Sequence, residues 1–432
     1  MAKAGDKVKI FYKKEVVEGV LMPEEDPKFV FVKLDSGYNI GLKKSFVKRT
    51  EMVKKKVKSK QATKKVTTKR GLPTISILHT GGTIASKVDY ETGAVIARYS
   101  PEEILSMFPE LKQIANIKSR LVRNMWSEDM RFAHYNMLAK EVKKEINGGS
   151  NGVIITHGTD TLHYTSAALS FALENLPVPV ILVGSQRSSD RGSSDAAVNL
   201  ISAALFISTR KDFADVAVCM HENTDDDTCI ILSGTKCRKM HSSRRDAFRA
   251  INTTPWTIIN WKKRKIKIIS TDYNKPSKNK LKILPFKENL KVGLMKVHTQ
   301  MYSEQFKFYK GYAGLIIEGT GIAGNIPVNE IDDFTKENTK IAKAIQSLVK
   351  SGTVVAAATQ TIYGRIDMNV YTTGRKMQDL GIIGNYLDMI PETAFIKLAW
   401  LLSNHKKKVK KLFMKNLRGE ISNRTEKETY LV

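Results

Sequence analysis

The sequence predicts an α/β protein: a two-domain body with mostly parallel sheets, preceded by a small SH3-like β-barrel. Three observations carry this. Apolar runs bounded by Gly or Pro, at Thr74–His79, Gly152–Thr156 and Pro179–Val183, alternate with helical segments. That alternation is the mark of a parallel sheet. A polar, lysine-rich stretch over 271–290, with Pro276 and Pro285, divides the pattern in two. Residues 6–50 read only as short strands with turn chemistry between them.

The barrel begins with Lys7-Val8-Lys9-Ile10-Phe11-Tyr12, where charged and apolar residues at first alternate. Strands at Val16–Met22, Phe29–Leu34 and Ile40–Leu42 follow, with Asp35-Ser36-Gly37 as a turn. A module of this size, placed at 1–52, is more often an interaction element than an enzyme. Residues 53–71 are rich in Lys, Val, Thr and Ser without an apolar stripe, so they read as a basic linker.

In the first body domain, 72–272, helices are expected at Pro101–Met107, Asp129–Ile146 and Thr161–Leu176. Glu102 and Glu103 suit the first turn of the first of these. Asp195 is a plausible N-cap for the helix from Ala196. In the second body domain, 273–432, strands are expected at Lys291–Val297, Gly314–Ile317 and Thr353–Ala358, and helices at Phe334–Ser351 and Pro391–Leu402.

Composition bounds the function classes. The net charge of +28 favours polyanionic partners such as RNA, though a lysine-rich proteome explains it equally well. Cys219, Cys229 and Cys237 form no CxxC pair, so no disulfide framework or zinc site is legible, and a reducing cytosol fits. No signal peptide and no membrane span are expected. The eight histidines are scattered, and metal is not expected.

Two strand ends carry the chemistry. Ile77-Leu78-His79-Thr80-Gly81-Gly82-Thr83-Ile84 breaks onto two glycines flanked by threonines, and Ile154-Ile155-Thr156-His157-Gly158-Thr159-Asp160-Thr161 ends in a second hydroxyl-rich turn. Ligands bind at the carboxyl ends of strands in open α/β sheets, so these turns point to a hydroxyl nucleophile. Each has a plainer reading: a tight turn for the first, and a helix N-cap at Thr159-Asp160 for the second.

These two blocks resemble the signatures of the bacterial-type L-asparaginases. Gly184-Ser185-Gln186-Arg187-Ser188-Ser189-Asp190-Arg191 and Leu232-Ser233-Gly234-Thr235-Lys236-Cys237-Arg238-Lys239 extend the likeness over roughly 72–402. With the barrel ahead of such a body, the chain is similar to the D-subunit family of archaeal glutamyl-tRNA(Gln) amidotransferases. Gly192 stands where that family is expected to have proline.

The resemblance implies roles. Thr83 corresponds to the attacking threonine, and Thr159, Asp160 and Lys239 to the family's Thr-Asp-Lys group. A lysine desolvated in a cleft can serve as a base. Alignment through Asp246-Ala247-Phe248, not spacing, selects Lys239 over Lys236. Tyr90 looks like the lid tyrosine, and Ser127 and Glu128 resemble the segment that binds the substrate's carboxylate and amino groups. The implied activity is glutamine hydrolysis, supplying ammonia for converting Glu-tRNA(Gln) to Gln-tRNA(Gln). A partner subunit of the E type would hold ATP and Mg, and this chain none. A homodimeric core within a cytoplasmic heterotetramer is the family expectation. Two alternatives stay open: a free-standing cytosolic L-asparaginase, and an inactive asparaginase-like RNA-binding protein.

A further glycine-rich motif lies in the second body domain. Gly319-Thr320-Gly321-Ile322-Ala323-Gly324 fits GxGxxG, but Pro327 falls where a dinucleotide-binding helix should be under way. It reads as a glycine-rich strand-end loop.

Overall fold

The computed structural model describes residues 2–23, 26–34, 39–54, 68–82, 84, 86–88, 95–97, 104–105, 107–187 and 194–430. The N-terminal unit is a five-stranded antiparallel sheet. Strand Lys7–Tyr12 lies between Glu15–Leu21 and Val47–Lys54, and Phe29–Lys33 and Asn39–Lys43 complete the order. Val8, Ile10, Val32 and Leu42 form its small core. Val8 and Ile10 are two apart, which puts both on one face of a pleated strand. Register shifts between Lys7 and Val8 and between Phe11 and Tyr12 bend the central pairing. The expected linker starts too early, because Val53 and Lys54 belong to the last strand. The expected turn at Asp35–Gly37 and the linker over 55–67 lie outside the described residues.

The first body domain is an eight-stranded mixed sheet. Its order is Lys265–Ile268, Thr257–Asn260, Thr228–Ser233, Val216–His221, Val180–Val183, Gly152–Thr156, Thr74–His79, Asn116–Leu121. The last five strands are parallel. Val180–Val183 and Gly152–Thr156 are buried at every position. Such unbroken burial belongs to a sheet covered on both faces, and it explains why these runs are so apolar. Helix Ala196–Thr209 covers one face and helices Phe132–Asn147 and Leu162–Ala172 the other.

The second body domain has parallel strands Val292–Lys296, Gly314–Gly319 and Val354–Thr359, with helix Lys336–Lys350 on one face. Helix Pro391–Asn404 joins the two domains. It packs on Leu162–Ala172 and on the second sheet, so Phe171, Trp400, Leu398 and Ile316 share one core.

Several sequence expectations shift. The helix expected from Asp129 begins at Phe132, because Ser127–Asp129 forms a separate 3₁₀ turn. The helix expected to reach Leu176 ends at Ala172, because Leu173–Glu174 leaves it to pair with Lys282–Ile283. Asp195 does not cap the following helix with its side chain. The helix expected at Pro101–Met107 falls largely outside the described residues.

Candidate active site

Three parallel strands end side by side. His79 pairs in register with Thr156, and Thr156 with Val183. The chain therefore delivers Thr80-Gly81-Gly82, His157-Gly158-Thr159-Asp160 and Gly184-Ser185-Gln186 to one edge of the sheet, where open α/β sheets bind ligands.

The turns touch each other through glycine. Gly81 has φ +111° and Gly82 φ +79°, conformations that side chains rarely adopt. A Cβ on Gly82 would lie 3.1 Å from the Gly158 nitrogen, so the two turns meet backbone to backbone. A Cβ on Gly158 would fall 2.9 Å from Ser127 Cβ, which brings Ser127 against the second turn. Thr161 Oγ1 donates to the Ser127 carbonyl and locks that contact.

Two buried histidines support the turns. His79 bonds Thr156 Oγ1 at 2.8 Å and Ser119 Oγ at 2.9 Å. Burial lowers its pKa to about 3, so it stays neutral. His157 Nδ1 donates to the Gly158 carbonyl at 2.7 Å, which leaves Nε2 to accept from Thr165 Oγ1 at 2.9 Å. Desolvation lowers it to about 4.

On this base stands a compact polar group. Lys239 Nζ donates to Thr159 Oγ1 at 2.9 Å and to Asp160 Oδ1 at 2.7 Å. The Lys239 side chain is 9% exposed and that of Asp160 69%, so a sheltered cation meets an open carboxylate. Lys239 arrives on the short strand Cys237–Lys239, paired with Phe248–Ala250. The N-cap reading of Thr159 and Asp160 fails: the following helix is preceded by Thr161, without a side-chain cap. Lys236 is elsewhere, donating to Asp388 Oδ2, Ser422 Oγ and the Asn252 carbonyl.

Thr159, Asp160 and Lys239 thus come together, with Ser127 beside them. Glu128 is exposed and meets Ser127 Oγ only at 3.5 Å. Thr83, Tyr90 and Gly192 lie outside the described residues. The flanks of the Tyr90 segment, Ser86–Val88 and Val95–Ala97, pair antiparallel.

A cleft of about 450 Å³ opens beside the pair, lined in part by Asp160, Lys239, His163, Tyr164, Arg238 and Glu392. Glu392 comes from the helix of the second domain. Burial opposes its ionisation, but His163 and Arg238 outweigh this and hold its pKa down at about 2. Arg238 Nε donates to it at 2.7 Å. Neither Glu392 nor His163 is among the residues singled out from sequence. Glu392 falls within the helix expected at Pro391–Leu402 without a role assigned to it, and its place beside Arg238 depends on a contact 154 positions away.

The GxGxxG segment folds back on itself. Thr320 bridges Asn325, and a Cβ on Gly319 would fall 2.0 Å from the Gly324 carbonyl oxygen. The next α-helix starts only at Lys336, so the motif lacks the helix start that pyrophosphate binding uses. Among the described residues, no group of three His, Cys, Asp or Glu side chains is placed to hold a metal ion.

Comparison with known proteins places this geometry. The family described as "Asparaginase, N-terminal" matches residues 74–273, "Glutaminase/Asparaginase C-terminal domain" residues 291–413, and "GatD N-terminal domain" residues 2–53. The chain is 44% identical over 424 residues to the D subunit of glutamyl-tRNA(Gln) amidotransferase from Pyrococcus furiosus, covering 96% of this chain and 93% of the relative. It is 42% identical over 427 residues to the D subunit from Methanococcus maripaludis, covering 97% and 98%. Among solved structures it resembles the thermostable L-asparaginase from Thermococcus kodakarensis, with TM-score 0.70, 28% identity, and coverage of 81% of this chain and 100% of that one. L-asparaginase I from Vibrio cholerae aligns with TM-score 0.69 and 26% identity over 81% and 99%. The chain belongs to the D-subunit family of glutamyl-tRNA(Gln) amidotransferases, built on an asparaginase-like body.

Proposed function

We propose that this chain is the glutamine-hydrolysing component of a tRNA-dependent amidotransferase. It releases ammonia from glutamine, and a partner subunit uses that ammonia with ATP and Mg to convert Glu-tRNA(Gln) to Gln-tRNA(Gln). The observation that carries this is the Lys239 ammonium shared by Thr159 Oγ1 and Asp160 Oδ1 at the parallel strand ends. The full-length likeness to D-type relatives, N-terminal domain included, supports the tRNA-dependent setting.

In this reading Thr83 attacks the carboxamide carbon. Its proton passes through Thr159 Oγ1 to the Lys239 nitrogen, which serves this step as the neutral amine. The C–N bond breaks, ammonia leaves with that proton, and water then hydrolyses the acyl-enzyme to glutamate. Asp160 keeps Lys239 aimed at Thr159, and its exposed oxygen suits the substrate's α-ammonium. Positioned acid–base groups of this kind are worth about 100- to 10,000-fold in rate. In a rival assignment Thr159 attacks in a second step. Tyr90, Ser127 and Glu128 complete the substrate site. The working assembly is a cytoplasmic heterotetramer around a homodimeric core, and among the described residues no helix is long and apolar enough to cross a membrane.

A free-standing L-asparaginase is the second reading, favoured by the likeness of the body to solved L-asparaginases. It leaves the N-terminal sheet without a role. Assays of glutamine and asparagine hydrolysis separate the two, run on the chain alone and with partner and Glu-tRNA(Gln). The first reading expects glutamine turnover to rise in the tRNA-bound complex. Strong asparagine hydrolysis indifferent to tRNA would favour the second. No amidase activity under any condition would make the chain an inactive RNA-binding relative.

A further inference from the structure

We propose that Gln186 contacts the substrate. Its side-chain amide accepts the Thr159 hydroxyl hydrogen bond on one atom and donates from the other to the oxygen of the substrate's carboxamide. This rests on the amidohydrolase reading above and adds a residue to it.

The orientation of the amide is fixed by chemistry. In the resting ion pair with Asp160, Lys239 Nζ is an ammonium and only donates, so Thr159 Oγ1 is its acceptor at 2.9 Å. The hydroxyl's single proton must then go to an acceptor, and Gln186 Oε1 lies 3.3 Å away. The nitrogen of the same amide is thereby turned off Thr159. It is buried and, among the described residues, has no hydrogen-bond partner. A buried donor left unmade is unfavourable, and such exceptions in a folded chain call for an explanation.

Gln186 is also held firmly. Asp195, fully buried, accepts from the backbone nitrogens of Gln186 and Arg187 at 3.0 Å and from Ser185 Oγ at 2.9 Å. Asn199 Nδ2 donates to the same carboxylate at 3.2 Å. One internal carboxylate therefore sets the turn that carries the amide, before any ligand arrives. A donor placed in advance is what transition-state stabilisation requires.

The acceptor follows from position. Nε2 shares its carbon with Oε1, so it lies beside the Thr159 hydroxyl. A substrate carboxamide bound there offers a planar NH2, which only donates, and an oxygen, which accepts. Only the oxygen suits Nε2. That oxygen gains negative charge as the carbon becomes tetrahedral.

The test is kcat and KM for glutamine hydrolysis by the full chain purified with its partner subunit. Gln186→Met is close in shape and lacks both functions, whereas Gln186→Glu keeps an acceptor for Thr159 and lacks the donor. Both should lower kcat by about 100-fold or more, with KM changed by no more than about threefold and the unfolding midpoint unchanged. Parent-like kcat in Gln186→Glu would overturn the proposal. So would a large rise in KM at unchanged kcat, which would put the donor on the α-carboxylate. If Gln186→Met does not fold, Gln186→Glu carries the test alone. Parent-like turnover in Lys239→Ala would instead sink the reading of the site itself.

Discussion

Lys236 and Lys239 lie three residues apart, and each gives its ammonium to a carboxylate at 2.7 Å. Around Lys236 everything is closed. The Lys236 and Asp388 side chains are 6% and 2% exposed, and Ser422 Oγ and the Asn252 carbonyl take the remaining donors. Asp388 also accepts from the Ser422 nitrogen, and Asn252 Nδ2 donates to the Asp388 carbonyl. This is a seam that ties the two body domains and the C-terminal segment together. Around Lys239 the accounting is left open. Its carboxylate partner faces a cleft, its hydroxyl partner leans on Gln186, and a buried amide donor beside them has nothing to bond among the described residues. A satisfied buried pair holds structure. A sheltered cation with an open partner and an unmet donor is arranged for a ligand.

The largest expected effect is on rate. Lys239→Ala should cut glutamine hydrolysis by about 100- to 10,000-fold and leave the unfolding midpoint near that of the parent. Equal turnover in a steady-state ammonia assay would erase the distinction between the two lysines. Lys236→Ala should do the reverse. Leaving Asp388 charged and buried should cost about 3–5 kcal/mol of stability, read by denaturant unfolding, while the folded fraction keeps its kcat. A stable Lys236→Ala chain without activity would move the chemistry to the seam.

A smaller effect is expected from acid. Burial lowers His79 to about 3 and His157 to about 4, whereas an unfolded histidine takes its proton near 6.5. Between those values the unfolded chain binds more protons, so stability is full above about pH 6.5 and falls as pH drops, by about 1.4 kcal/mol per unit per histidine. Asp215 acts against this. Burial raises it to about 6, so from there down to its ordinary 3.8 the folded state binds the proton first and gains stability. The sum is a decline that starts near pH 6.5 and is partly offset below pH 6. Thermal midpoints from about pH 8 to about pH 4 check it, and a flat profile would show that the histidines beneath the site are not buried neutral.

Much of the frame is legible in the sequence because a buried parallel strand leaves a plain trace. Thr74–His79 and Gly152–Thr156 have the expected limits, since apolar runs end where the chain must turn. The threonine turns follow from those ends. What cannot be read depends on partners far along the chain. Lys236 and Lys239 share one basic loop, and only Asp388 and Asp160, 152 positions later and 79 earlier, tell them apart. Asp195 resembles a helix cap because caps are local, but its carboxylate bonds the backbone of a turn eight and nine residues upstream. The helix ending at Ala172 reads longer in sequence because Leu173–Glu174 could continue it, and only the distant strand Lys282–Ile283 draws it away. Gln186 carries no signal of its own within the Gly184–Arg191 block, because its role lies in which amide atom faces Thr159.

Thr159 and Lys239 are held to act as one unit, and a double-mutant cycle in kcat/KM for glutamine tests this most directly. It uses Thr159→Ala, Lys239→Ala and the two combined. Groups that work as a unit are grossly non-additive. The combined variant should therefore be no slower than the worse single variant. Losses that multiply in the combined variant would mean the two side chains act separately, and the hydrogen bond between them would then be structural.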